Sequence, residues 1–113
     1  MTRGGSRLPD HDQSDKAIKN WLKSHVTVGA LVAIKRTQDG SLQYERARVL
    51  SIRPKNFNVG VQQKDGNFAE AGMPFDYAGR NWREPSGGTR LVMPTEEVLA
   101  ACDACDFGNA FIP

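Results

Sequence analysis

The hydrophobic period of this chain changes from 3.6 to 2 at Val26, and that switch constrains the fold more than any other feature. Upstream, Ile18, Trp21, Leu22 and His25 recur at the i, i+3, i+4, i+7 spacing of one helical stripe. Lys16, Lys19 and Lys23 fall elsewhere on the cylinder. Ser14 or Asp15 can cap the open N–H groups, so the spacing predicts a helix over 15–25 with Trp21 as a packing anchor. Downstream, Ala30, Val32 and Ile34 alternate with Leu31, Ala33 and Lys35 until Asp39-Gly40 signals a turn. A second run over 43–53 sets Ala47 and Val49 against Arg46 and Arg48. Pro54 ends it, because proline cannot donate to a sheet ladder. A third run, 56–63, places Phe57, Val59 and Val61 on one face ahead of Asp65-Gly66.

Beyond that turn the chain is rich in Gly, Pro and aromatics, and Phe75, Tyr77 and Trp82 are its candidate packing residues. A last short strand is expected over 89–93. Pro94-Thr95-Glu96-Glu97 then opens a helix over 95–103, with Thr95 capping and two carboxylates where the helix dipole favours them. Short strands, Gly-bearing turns and a Val, Ile and Phe core predict a mainly β fold. The expected form is a small antiparallel barrel over 26–93 between a short N-terminal and a short C-terminal helix. Val32, Ile34, Val49, Phe57, Val59 and Val61 should face inward, Arg46 and Arg48 outward. Residues 1–13 read as a flexible tail, 14–113 as one domain, and 104–113 as its C-terminal tail.

A resemblance carries this further. Val28-Gly29 before the first strand, the hairpin ending in ARVLSI and the NFNVGV strand look like Src-homology-3-like small β-barrels. Within these, Phe75-Asp76-Tyr77-Ala78-Gly79-Arg80, followed by Arg90-Leu91-Val92-Met93-Pro94-Thr95-Glu96-Glu97, resembles small barrel proteins of phages, plasmids, actinobacteria and related mobile elements. There a Phe-x-x-x-Gly strand precedes an Arg-Leu strand and a Pro-rich helix start. The likeness spans roughly 26–102; the N-terminal helix and the cysteine-bearing tail depart from it. It implies a scaffold rather than one activity.

Of 113 residues, 39% are hydrophobic and 25% charged, the usage of one globular domain. No apolar run approaches the ~20 residues a membrane helix needs, and the N-terminus lacks a signal-peptide core. Two cysteines cannot staple a secreted fold, so a reducing, cytoplasmic setting is expected. The net charge of +2 conceals an asymmetry. Residues 16–64 hold ten Lys and Arg against only Asp39 and Glu45. Such a basic face suits an acidic protein or nucleic acid.

Chemistry is thin by comparison. Cys102-Asp103-Ala104-Cys105 lies at a helix C-terminus, where the dipole opposes a thiolate, and no second ligand pair accompanies it. A structural or incidental role is expected, with no metal and no cofactor. His25 belongs to the helical stripe, His11 to the tail, and no nucleophile elbow or phosphate loop is present. The chain reads as no enzyme.

The expected contact residues are Lys35, Arg36, Arg46, Arg48, Arg53 and Lys55, with Tyr44 on the parity of Arg46 as a stacking surface. The first expectation is a non-enzymatic module of a mobile element that binds a host or element protein as inhibitor or adaptor. The alternative is a barrel binding DNA or RNA through the same hairpin. No membrane partner is expected, and an exposed edge strand would admit a homodimer.

Overall fold

A computed structural model describes residues 13–38 and 41–105. Helix α1 (Asp15–His25) is followed by β1 (Leu31–Gln38), β2 (Ser41–Ile52), β3 (Asn56–Val61), β4 (Met73–Asp76), β5 (Thr89–Val92) and α2 (Glu96–Cys105). The Asp39-Gly40 turn, His11 with the rest of segment 1–12, and the terminal segment with Phe107, Phe111 and Ile112 lie outside the described residues.

α1 begins where the sequence places its cap: Ser14 Oγ accepts the Ala17 N–H at 3.1 Å. Asp15 stands in the first turn and Lys23 and His25 in the last, both matched to the helix dipole. Ile18 and Leu22 are buried, so this helix is held by one apolar face rather than by propensity. No helix among the described residues is long and apolar enough to cross a membrane.

The five strands form one sheet in the order β4-β3-β2-β1-β5, antiparallel throughout. It curls into a half-barrel. On its inner face Val32 stands opposite Ala47, Val49 opposite Val59, Phe57 opposite Phe75 and Ile34 opposite Leu91. All of these are buried. Val61, opposite Ala47, is half-buried against the same core. The open side between β4 and β5 is spanned by residues 79–82, through the bridges Phe75 to Asn81 and Arg80 to Arg90. Gly79 is the pivot. Its carbonyl accepts the Leu91 N–H at 2.7 Å, its φ is +85°, and a Cβ there would lie 2.9 Å from Ile18 Cγ2. The glycine of the Phe-x-x-x-Gly pattern thus lets α1 close onto the sheet.

Three expectations change. The stretch after Asp65-Gly66 holds a fourth strand, β4, which pairs with β3 from Asn56–Asp76 to Val59–Met73. Pro74 hides it from the period, yet is tolerated because β4 is an edge strand and the Pro74 backbone faces away from β3, its carbonyl accepting the Trp82 N–H at 3.0 Å, so no ladder donor is lost. Trp82 is 45% exposed and does not pack, whereas Phe75 does. Finally, the outer face of β1 and β2 is not solvated along its length. α2 lies against β2, and Ala33 and Tyr44 are fully buried together with Val98, Ala101 and Cys102.

Candidate interaction surface

The residues expected to form one basic patch divide three ways. Arg36 and Glu45 lie on inner-face parity, Glu45 opposite Ile34 and Arg36 two residues beyond it, and form an ion pair with each other. Arg46 does leave the outer face, but it meets Asp103 of α2 in a two-pronged pair, its second nitrogen 3.3 Å from Oδ2. That hydrogen bond holds the Asp103 carboxyl below its ordinary range and raises the Arg46 guanidinium. Lys35 is half-buried, in register with Tyr44 on one side and Arg90 on the other. Tyr44 itself is fully buried and presents no ring to a partner. The reason is α2, which occupies the surface that the parity of Arg46 had marked as open.

Arg48, Arg53 and Lys55 remain exposed. The Arg48 guanidinium lies 4.8 Å from the centroid of the Phe68 ring, a stacking that orders it without neutralising it. Arg53 and Lys55 flank Pro54 at the tip of the β2–β3 hairpin. This tip is braced from several sides. The Arg53 N–H donates to the Asn56 carbonyl at 2.8 Å, and Tyr77 Oη donates to the Arg53 carbonyl at 2.7 Å. The Tyr77 ring packs at 5.1 Å on Phe57, which is buried in the core. Asn58 Nδ2 donates to Ser51 Oγ at 3.2 Å. Ile52, 43% exposed, immediately precedes Arg53 in the chain.

Sequence reasoning missed Ile52 as a surface group. An uninterrupted period-2 count would set Ile52 on the face of Arg46 and Arg48; the register instead shifts between Val49 and Ser51, leaving Leu50 inserted and moving Ile52 to the parity of Phe57. Ile52 stands opposite Phe57 in the last pair of the ladder and stays 43% exposed.

His25 and Cys102 are taken up by packing, whereas the side chain of Cys105 lies outside the described part of the structure. His25 stacks on Trp21 with ring centroids 4.4 Å apart, and its Nδ1 donates to the Trp21 carbonyl at 2.8 Å. Cys102 is buried against the sheet. No family model, curated protein or solved structure matches this chain.

Proposed function

We propose that this chain is a non-enzymatic interaction module on a Src-homology-3-like small barrel, of the kind carried by phages and plasmids. It binds an acidic patch of a host or element protein, as an inhibitor or adaptor. The observation that carries this reading is the braced β2–β3 tip, where exposed Ile52 immediately precedes Arg53, with Lys55 two residues further on. An apolar anchor rimmed by charge suits a protein surface, where burial supplies affinity and charge supplies steering. Pre-ordering by Tyr77 and Asn56 lowers the entropic cost of docking. A nucleic-acid reading of this same face relied on Tyr44 as a stacking ring, and Tyr44 is buried. The five strands in the order β4-β3-β2-β1-β5, with a curled sheet, are compatible with the Src-homology-3-like scaffold.

The test is affinity capture from nuclease-treated bacterial lysate, comparing the parent chain with the Arg53→Glu, Lys55→Glu double variant. A discrete protein retained by the parent and lost from the variant is expected. Capture that survives the double reversal, or that vanishes on nuclease treatment alone, would contradict the proposal.

A further inference from the structure

A second surface lies away from the hairpin tip, and no part of the proposed protein contact uses it. On α1, Lys16, Lys19 and Lys23 are exposed. With about 3.6 residues per turn they fall within ~60° of one another and span about 10 Å of the helix axis. None of the three is ion-paired among the described residues. Asp15, four residues before Lys19 and so its neighbour on the helix surface, is engaged elsewhere. Its carboxylate accepts from Arg90 at 2.7 Å and from Arg80 at 3.5 Å, with Arg90 the main cause of its lowered pKa.

These contacts set the lysine stripe beside the closing segment 79–82. Arg80, half-exposed, reaches Asp15, and two residues further on Trp82 is 45% exposed. Its backbone is fixed: the Trp82 N–H donates to Pro74, and Asn81 Oδ1 accepts from the N–H groups of Arg83 and Glu84 at 2.9 and 3.2 Å. Segment 79–82 thus brings half-exposed Arg80 against the start of α1, two residues before the exposed indole of Trp82, and α1 itself carries three lysines that are unpaired among the described residues. Among the described residues the carboxylates near this rim are Asp15, occupied by two arginines, Asp76, which accepts the N–H groups of Ala78 and Arg80 at 2.9 Å each, and Glu84 in the adjoining turn.

We infer that this rim is a binding surface for single-stranded nucleic acid, with phosphates on Lys16, Lys19, Lys23 and Arg80 and one unstacked base on Trp82. An array of lysines alone would serve any polyanion. The exposed, backbone-fixed indole selects a ligand with a free π-face beside its phosphates, and in a duplex those faces are stacked and closed.

The experiment titrates the full chain with a fluorescein-labelled 15-residue oligo-dT and with the matching duplex, following both anisotropy and tryptophan emission across salt. The single strand should bind more tightly than the duplex and quench tryptophan emission. Its log–log salt slope should be about −2 to −3, for three or four released counterions. Trp82→Ala should abolish the quench although Trp21 remains, and weaken affinity roughly tenfold, with Trp82→Phe recovering much of the loss. Lys16→Gln with Lys19→Gln and Lys23→Gln should flatten the slope to shallower than about −1, while Lys64→Gln, at a lysine exposed elsewhere, leaves it unchanged. Circular dichroism of each variant should match the parent, since every substituted side chain is exposed. An absence of binding by the parent chain overturns the inference. So does equal affinity for the duplex, or a quench that survives in Trp82→Ala. A triple variant that keeps its salt slope does the same.

Discussion

Gly79 and Gly66 share a left-handed backbone, with φ of +85° and +90°, yet only Gly79 is crowded. Around Gly66 nothing lies within 4 Å of an added Cβ, whereas at Gly79 both Ile18 Cγ2 and the Leu91 carbonyl are closer than a methyl group accepts. Gly66→Ala should therefore cost ~1 kcal/mol, the penalty of the backbone alone. Gly79→Ala should cost ~2–4 kcal/mol, because α1 must also shift. Urea midpoints at constant m-value measure both, and equal costs would mean that α1 does not press on this pivot. The Arg46–Asp103 pair makes a second residue-scale prediction. Asp103 titrates below its unfolded value, so its contribution is complete above about pH 4 and fades as pH falls through the folded value. Asp103 is largely exposed and the pair is screened, so Asp103→Asn should cost only ~0.2–1 kcal/mol at neutral pH. The gap from the parent should narrow as pH falls from 5 toward 2.

At the scale of elements, the decisive fact is that β2 is covered on both faces along part of its length, its outer face by α2 around Tyr44. Val98 of α2 is fully buried, and Val98→Ala should destabilise by ~1–3 kcal/mol in chemical denaturation; a cost under ~0.5 kcal/mol would make α2 peripheral. α1 was legible in residues 14–25 because cap, stripe and dipole-matched charges agree. The inward set Val32, Ile34, Val49, Phe57 and Val59 was equally legible, since a half-buried strand writes its inner face in period 2. What periodicity cannot carry is the cover on the second face. Nothing local to Tyr44 or Arg46 announces a helix arriving from more than fifty residues away, so Tyr44 read as exposed and Arg46 as unpaired. The bulge at Leu50 and the proline in β4 concealed two further features for reasons of phase and of hydrogen bonding.

On the scale of the whole molecule, the excess of Lys and Arg in residues 16–64 is not one patch. The fold spends part of it on the pairs of Arg36 with Glu45 and Arg46 with Asp103. Of the rest, Arg53 and Lys55 stand at the hairpin tip and Lys16, Lys19 and Lys23 on the exposed flank of α1, while Lys35, Arg48 and Lys64 lie apart from both. Reversing Arg46 would thus disturb the seat of α2, whereas reversing Arg53 and Lys55 alters only a solvated tip. That separation makes binding at the tip testable without unfolding the barrel. The most direct measurement is site-specific photo-crosslinking in bacterial lysate, with the reactive side chain placed at Ile52 or, as a control, at exposed Glu70. The proposed function predicts one discrete, nuclease-resistant protein adduct from position 52, weakened by Arg53→Glu and not formed from position 70. No adduct at 52, an adduct removed by nuclease, or the same adduct from position 70 would contradict it.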